Sequence, residues 1–166
     1  MTARYLAVRA LMHQERDGYS NLVLDAELKK CEPPLSRRDA AFAASIFYTT
    51  LERQRLLDCC LDQFTRKPVA KLDAPVRAIL RAGLAQAKFL DVPLPAAVNE
   101  SVKLAKAFGK TSAAGMVNAV LRRAAAFDEA TLTFAEPVER LAVQYSLSDA
   151  VAALLNRAYV EEAFAI

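Results

Sequence analysis

Residues 92–123 constrain the fold more than any other part of the chain, because they form two amphipathic segments on either side of a glycine. Pro93 marks the start of the first segment, since proline is tolerated in the first turn of a helix but not in its interior. Beyond it, apolar residues recur at helical spacing on one side, and lysines occupy the other. Gly109 stands where a glycine commonly ends a helix, and Thr111 or Ser112 can cap the helix that follows. The stretch therefore predicts two helices, each with one buried side.

Helical periodicity continues through the rest of the chain, which favours an all-α fold. Only 4 of the 166 residues are glycine and 54% are hydrophobic, a composition typical of packed helices. Before the 92–123 stretch, the predicted helices are residues 2–15, 20–30, 36–64 and 73–90. A continuous helix over 36–64 would be about 45 Å long, so we expect it to bend or to form a spine on which other helices pack. Gly83, in the middle of the last of these helices, predicts close approach of a neighbouring helix.

The helical pattern weakens after Phe127. Pro137 opens a short predicted helix, and Ser146 or Ser148 can cap a last helix with an apolar side. The sequence stops at residues 164–166 with neither a capping glycine nor a polar tail. We therefore expect the natural protein to continue beyond this point.

Charge and cysteine content narrow the function classes only slightly. The net charge of +3 permits an acidic partner such as RNA without requiring one. Three cysteines are too few for a disulfide framework, so the cytoplasm is the expected compartment. No apolar run reaches the length of a membrane span, and no membrane contact is expected.

The residues that catalysis requires are scarce. His13 is the only histidine, and it falls on or near an apolar face, where a core or surface role is expected rather than that of a base. The cysteines have no flanking residues that would lower a thiol pKa, and they form no C-x-x-C metal motif. The glycines are isolated and follow no predicted strand, so no nucleotide-binding loop is predicted. We expect no catalytic residue, no metal site and no cofactor in this chain.

Several blocks of the sequence resemble one known family in their order and spacing. AAVNESVKLAKAFG and AGMVNAVLRR resemble the carboxyl-terminal half of the NusB-type RNA-binding domain. LSRRDAAFAASIFYTTLERQRLLD and APVRAILRAGLAQAKFLDVPLPAAVNE extend the resemblance over most of the chain. It is most similar to the version of this domain at the amino terminus of the RsmB (Sun/Fmu) family, the bacterial enzymes that methylate a cytosine of small-subunit ribosomal RNA. The Tyr-Thr-Thr run at residues 48–50 departs from the Tyr-Gly pair that is usual in the family.

The resemblance implies a NusB-like helical bundle of two three-helix subunits, plus short C-terminal helices. It implies an RNA-binding domain over residues 1–128 and a helical linker over 129–166 that leads toward an absent methyltransferase domain. The implied function is the RNA-binding N-terminal domain of a 16S rRNA (cytosine-C5) methyltransferase, which docks ribosomal RNA for the downstream catalytic domain. The implied partners are ribosomal RNA, the chain's own methyltransferase domain and a ribosomal protein, and S-adenosylmethionine is the cofactor expected for the full-length enzyme.

Basic residues are the candidates for an RNA interface, because neutralising phosphates supplies much of the affinity of RNA-binding proteins. The resemblance implies RNA contacts on the first helix and on the helix that follows Pro68. It singles out Arg4, Arg9, Arg77 and Arg81. A basic cluster taken alone is more often a solvated helix face, so the prediction requires that the fold bring several clusters together. The candidate RNA-binding residues are Arg4, Arg9, Arg37, Arg38, Arg77, Arg81, Lys103, Lys106, Arg122 and Arg123.

Asn99 and Asn118 are candidate structural residues, since each stands beside apolar residues on a predicted helix. A half-buried amide must find hydrogen-bond partners, so we expect these two to bridge helices or to bond backbone carbonyls. Contact with RNA or with a partner protein is the alternative.

Two other functions remain open. A free-standing transcription antitermination factor of the NusB kind would bind RNA together with a ribosomal protein, although the roughly forty residues after Arg123 argue against it. A helical protein-interaction scaffold would use the same fold to hold a methyltransferase domain or to form a dimer, without touching RNA.

Overall fold

The computed structural model describes residues 1–132, 137–144, 146, 150–154 and 157. Within these residues the chain forms eight α-helices with defined bounds, a further helical stretch at residues 150–154, and no strand, which confirms the all-α prediction. None of the described helices combines the length and the apolar character that crossing a membrane requires. The helices are α1 (Ala3–Asp17), α2 (Ser20–Lys30), α3 (Arg37–Glu52), α4 (Gln54–Asp62), α5 (Ala74–Phe89), α6 (Leu94–Ala107), α7 (Ala114–Ala126) and α8 (Pro137–Gln144).

The central helix of the bundle is α5. Every residue from 78 to 86 is buried, so this helix is covered on all sides rather than along one stripe. It packs against α1, α3, α4, α6 and α7. Because α1 also packs on α2 and α3 while α6 packs on α7, the predicted pair of three-helix subunits is confirmed as α1–α3 and α5–α7. The centre of the fold therefore lies one helix earlier than the 92–123 stretch.

Gly83 is the point at which α5, α6 and α7 come closest. A Cβ atom at this position would lie 2.6 Å from Ser101 Oγ and 2.9 Å from Leu121 Cδ1, nearer than side chains pack in proteins. Ser101 and Leu121 are themselves buried, so they have little room to move aside. The prediction of a close helix approach at this glycine is confirmed.

The predicted long helix over residues 36–64 is divided at Arg53 into α3 and α4. Arg53 leaves the helical region, with φ −110° and ψ 13°, and its N–H donates to the carbonyls of Thr49 and Leu51. At the other end, Ser36 caps α3 by accepting the N–H of Asp39 at 3.1 Å. The expected bend is therefore confirmed, and both halves reach α5.

Gly109 ends α6 as predicted, in the left-handed conformation with φ 75°. Its N–H donates to the carbonyl of Lys106, and the N–H of Lys110 donates to the carbonyl of Ala105. These two bonds form a Schellman motif, which satisfies carbonyls that the end of a helix leaves unpaired.

The predicted cap of the next helix at Thr111 or Ser112 is wrong. Both residues belong to a single 3₁₀ turn, Thr111–Ala113. α7 begins after that turn, at Ala114, and no side chain caps it. The 3₁₀ turn satisfies backbone groups by its own tighter hydrogen bonds, so a capping side chain is not required.

The segment after α7 packs on the bundle. Lys88 of α5 holds its start, because Nζ donates to the Phe127 carbonyl at 2.9 Å and to the Glu129 carboxylate at 2.8 Å. Farther on, α8 packs against α4 and buries Ala142 and Val143. The predicted boundary at residue 128 and the linker over 129–166 stay predictions.

Part of the predicted last helix is described. Residues 150–154 have helical backbone, and Ala152 is buried while Leu154 is exposed. Ser146 lies in a turn. Ser148 and the chain end at residues 164–166 lie outside the described residues.

Candidate nucleic-acid interface

Arg81, one of the residues that the resemblance singles out, is held by carboxylates inside the bundle. Its Nε and Nη2 donate to the two oxygens of Asp58 on α4, both at 2.7 Å. Its Nη1 donates to Glu15 Oε1 on α1 at 3.0 Å. Only 7% of the Arg81 side chain is exposed. Its predicted place on an RNA-binding surface is therefore corrected: the guanidinium joins α1, α4 and α5, and a phosphate cannot reach it.

Arg77 also binds the carboxylate of Glu15. Its Nε and Nη2 donate to the two oxygens of Glu15 at 2.8 and 2.6 Å. Its Nη1 also donates to the carbonyls of Leu72 and Ala70. With five donor groups largely committed to the protein itself, Arg77 also does not project toward solvent as the sequence predicted.

The pKa values of this cluster follow from its contacts. Hydrogen bonding from Arg77 lowers the pKa of the Glu15 carboxyl, and the same bond raises the pKa of the Arg77 guanidinium. Burial raises the pKa of the Asp58 carboxyl, and hydrogen bonds from Arg81 oppose that effect. Two carboxylates face two guanidinium groups here, so the cluster offers no surplus positive charge to RNA.

Arg4 and Arg9, on α1, are engaged as well. Arg4 Nε donates to Gln86 Oε1 on α5 at 2.6 Å, and its guanidinium lies 5.1 Å from the centroid of the Phe42 ring on α3. Arg9 pairs with the buried Glu27 of α2 at 3.3 Å. Both arginines are partly exposed, so they contribute charge at the edge of a surface without projecting from it.

Other predicted cations are exposed and form no ion pair or hydrogen bond with any residue that the structure describes. They are Arg37 and Arg38 on α3, Lys106 on α6 and Arg123 on α7. Two more are exposed but contact a neighbour on their own helix: Lys103 lies 3.3 Å from Glu100, and Arg122 donates to Asn118 at 2.7 Å. Exposed pairs of this kind are weak, so these two cations stay available to a phosphate.

α1 and α3 lie side by side and run in the same direction. Arg4 contacts Phe42 near the starts of the two helices, and Glu15 and Leu51 line one small pocket near their ends. The positive dipole ends of both helices therefore face the same way.

α6 covers the same end of α1. The Tyr5 ring stacks on Phe108, with centroids 4.5 Å apart and planes 11° apart, and Thr2 and Lys103 line one shallow groove. Arg38 stands one helical turn before Phe42, and Lys106 one turn after Lys103. We call this surface the N-terminal face. It comprises Met1, Thr2, Tyr5, Arg37, Arg38, Lys103 and Lys106.

The N-terminal face carries surplus positive charge. Its two arginines and two lysines stand against the carboxylates of Asp39 and Glu100, which occupy the same helical turns. Arg37 and Arg38 occupy the first turn of α3, where the helix dipole disfavours cations and backbone N–H groups await an acceptor. The two arginines and the unpaired N–H groups are unfavourable for the helix alone, but together they form a site that a bound anion would stabilise.

The expectation for Asn99 and Asn118 as helix-bridging residues is corrected. Both side chains are exposed rather than half-buried. Asn118 Oδ1 accepts a hydrogen bond from Arg122 Nε on its own helix, and an exposed amide can satisfy itself with water. Their part in binding a partner stays a prediction.

Some exposed cations were missed in the sequence. Lys29 and Lys30 end α2, and Arg66 and Lys67 follow α4. Arg53 lies with its guanidinium 4.9 Å from the centroid of the Phe89 ring. The adjacent pairs are visible as charge doublets near helix ends, where cations favour the dipole, whereas no sequence signal links Arg53 to a ring 36 positions away.

The histidine contacts two carboxylates, and Cys60 is buried in the core. His13 Nε2 lies 2.5 Å from Asp17, and Nδ1 lies 3.3 Å from Glu27 of α2. Burial raises the pKa of the Cys60 thiol to about 11, which keeps it protonated at neutral pH. Among the described residues, no group of histidine, cysteine and acidic side chains is arranged to hold a metal ion.

Comparisons with known proteins point to one family. The model of the NusB family matches residues 1–126. The probable ribosomal RNA small subunit methyltransferase B of Synechocystis is 40% identical over 125 residues, which are 74% of this chain and 28% of that protein. The transcription antitermination protein NusB of Teredinibacter turnerae is 32% identical over 126 residues, which are 75% of this chain and 85% of that protein.

A solved structure agrees with the fold. The crystal structure of antitermination factors NusB and NusE in complex with dsRNA matches with a TM-score of 0.68 at 19% identity, over 74% of this chain and 92% of that one. This chain spans only 28 to 32% of the length of three ribosomal RNA small subunit methyltransferases B that it matches. It corresponds to their amino-terminal part.

Proposed function

Because the chain belongs to the NusB family, we propose that it is an RNA-binding module that serves as the amino-terminal domain of a ribosomal RNA cytosine-C5 methyltransferase. The module docks a segment of ribosomal RNA in the cytoplasm. A downstream domain, which would bind S-adenosylmethionine, carries out the methyl transfer. The observation that carries this proposal is the 40% identity over 125 residues with a ribosomal RNA small subunit methyltransferase B.

The N-terminal face is the surface that we assign to RNA. Arg37, Arg38 and Lys106 have no partner among the described residues, and Lys103 has only a weak exposed one. The amino termini of α1 and α3 add their dipoles to these side chains, and the carboxyl end of α6, where Phe108 stacks on Tyr5, offsets part of that effect. Phosphate contacts of this kind position RNA without reading its sequence, which fits a docking module whose catalytic partner selects the target base.

A direct binding measurement tests the proposal. Fluorescence anisotropy with a labelled small-subunit ribosomal RNA hairpin should show binding that weakens steeply as salt rises. Replacing Arg37 and Arg38 together with glutamine should lower the affinity roughly tenfold and flatten the salt slope by about 1 to 2.

Arg66 and Lys67 provide the matched control, because replacing both with glutamine makes the same change in net charge. The segment that follows them reaches the carboxyl end of α1, where Arg77 bonds both Ala70 and Glu15. That end lies about 20 Å along α1 from the N-terminal face. Equal losses in the two double variants, or no binding at low salt by the unaltered chain, would contradict the assignment.

A free-standing antitermination factor is the second candidate, favoured by the match that covers 85% of the Teredinibacter NusB protein. The two functions predict different coding sequences downstream of residue 166. A reading frame that continues into a methyltransferase domain would support the first, and a stop codon directly after this residue would support the second. Tight RNA binding only in the presence of a ribosomal protein would also favour the second.

A further inference from the structure

Gln86 is a polar side chain buried in the central helix α5, with only 2% of the residue exposed. Its Oε1 accepts a hydrogen bond from Arg4 Nε on α1 at 2.6 Å, and its Nε2 donates to the Ala82 carbonyl on its own helix at 3.1 Å. Because an arginine side chain can only donate, the amide oxygen must face Arg4 and the amide nitrogen must face the backbone carbonyl. Gln86 therefore has one favoured orientation, in which it holds the Arg4 guanidinium by its Nε edge.

Phe42 of α3 fixes the plane of the same guanidinium. The centre of the Arg4 guanidinium lies 5.1 Å from the centroid of the Phe42 ring, within the range of a cation–π contact. The two Nη groups of Arg4 have no partner among the described residues, and the side chain is partly exposed. Because a guanidinium is a rigid planar fork, these two groups stay side by side, in the geometry that binds two oxygens of a phosphate. The fork is already oriented before a ligand binds, which lowers the entropic cost of binding.

The charge of Arg4, unlike that of its neighbours, is not compensated. Arg9, Arg77 and Arg81 each pair with a carboxylate. Gln86 is neutral, and Arg4 forms no ion pair within the described part of the chain. Arg4 is also the second residue of α1, whose first turn contains no acidic residue, and the helix dipole disfavours a cation there. An anion bound at this place would relieve that unfavourable charge.

We propose that Arg4 binds a phosphate of the RNA backbone at the edge of the N-terminal face and that Gln86 is its positioning residue, an inference that rests on the proposed function. Gln86 orients the guanidinium as a carboxylate would, but it leaves the positive charge in place. Arg38 stands one helical turn before Phe42, so the site continues into the N-terminal face. The other unpaired cations of that face favour a ligand that repeats its negative charge along its length, as RNA does, over a single carboxylate of a partner protein.

The variant Gln86→Glu separates the orientation of Arg4 from its charge. The new carboxylate can accept the same hydrogen bond, as Asp58 does from Arg81, so the variant should remain folded by circular dichroism. It neutralises Arg4, however, and competes with phosphate for its N–H groups. In fluorescence anisotropy with the labelled ribosomal RNA hairpin, affinity should fall roughly tenfold and the salt slope should flatten by about 1. A Gln86 with a merely structural role would leave both quantities unchanged in a folded variant.

Two further variants supply the control and a second test. Gln63→Glu makes the same charge change at an exposed glutamine that follows α4, and it should keep the affinity and the salt slope. Arg4→Lys leaves Gln86 in place and keeps the positive charge but loses the planar fork. Its affinity for the hairpin should fall several-fold while the salt slope stays the same, since the slope follows the number of cations at the phosphates.

The outcomes distinguish this inference from the function on which it rests. If folded Gln86→Glu and Arg4→Lys variants bind the hairpin as the unaltered chain does, the phosphate site is overturned and the RNA-binding function stands. Equal losses in Gln86→Glu and Gln63→Glu also overturn the site, because the effect would then follow net charge alone. Failure of the unaltered chain to bind the hairpin at low salt overturns the function and the site together.

Discussion

Replacing Arg81 with glutamine should destabilise the domain by about 3 kcal/mol. The guanidinium makes three charge-assisted hydrogen bonds, two to Asp58 at 2.7 Å and one to Glu15 at 3.0 Å. Glutamine would leave the Asp58 carboxylate without a cation in a setting where 20% of its side chain is exposed. Breaking a buried ion pair costs about 3 to 5 kcal/mol. The lower end applies because water reaches Asp58 and Arg77 still holds Glu15.

Chemical denaturation followed by circular dichroism measures this loss. For a domain of this size, about 3 kcal/mol corresponds to a fall in Tm of roughly 6 to 12 °C. Arg38→Gln is the matched control, since it makes the same charge change at an exposed residue without a partner in the described part of the chain. It should be as stable as the unaltered protein or slightly more stable, since the dipole of α3 disfavours a cation at this position.

A double-mutant cycle identifies the cause. Asp58→Asn and Arg81→Gln together should cost less than the sum of the two single changes, because each removes the charge that the other leaves unpaired. At a temperature where the Arg81→Gln variant is fully folded, its affinity for the ribosomal RNA hairpin should equal that of the unaltered chain. An Arg81→Gln variant with unchanged stability and weakened RNA binding would refute the reasoning and return Arg81 to the RNA interface.

Three further predictions rest on local geometry. Gly83→Ala should destabilise the fold by about 1 to 2 kcal/mol, since overpacking outweighs the gain in helix propensity. In the same denaturation assay, adding Ser101→Ala should restore part of the lost stability. A Gly83→Ala variant more stable than the unaltered chain would contradict the close approach. The pKa of Glu15 is lower in the folded chain than its ordinary value. Its contribution to stability is therefore present above about pH 4.5 and is lost as pH falls through the folded pKa. The stability difference between the unaltered chain and Glu15→Gln should shrink below about pH 4.5, and a difference that stays constant would be evidence against the pairing. Cys60, with its pKa raised to about 11, should react slowly with a thiol reagent at pH 8 until denaturant is added; peptide mapping by mass spectrometry that finds rapid native labelling would contradict its burial.

The parts of the fold that the sequence predicted depend on local signals. Gly109 acts within the last turn of its own helix, so residue type and position are enough to place it. Gly83 carried a longer-range signal, because a glycine inside an otherwise strong helix destabilises it unless another element needs the space. The 3₁₀ turn before α7 was missed, since Thr111 and Ser112 have the chemistry of caps but the backbone satisfied itself another way.

The charged residues show where sequence reasoning stops. Arg77 and Arg81 stand four positions apart, which correctly predicts a shared helix face. Whether that face meets water or acid depends on Glu15, which is 62 and 66 positions away. Nothing in the local pattern distinguishes an arginine that binds a phosphate from one that binds a carboxylate, because the two ligands make the same bidentate demand.

Arg77 and Arg81 are bound to carboxylates, whereas Arg37 and Arg38 are exposed without a described partner. This difference makes the RNA-binding function testable by mutation. A charge reversal at Arg77 and Arg81 would place four acidic side chains together in the bundle, so loss of RNA binding in such a variant would report loss of the fold. Charge changes at Arg37 and Arg38 touch no described partner, and removing two cations from the first turn of α3 should stabilise that helix slightly rather than destabilise it. If changing these two residues weakens RNA binding while the fold stays stable, the loss must come from the surface contact itself. If the domain is only a protein-interaction scaffold that does not touch RNA, the same changes should have no effect on RNA affinity.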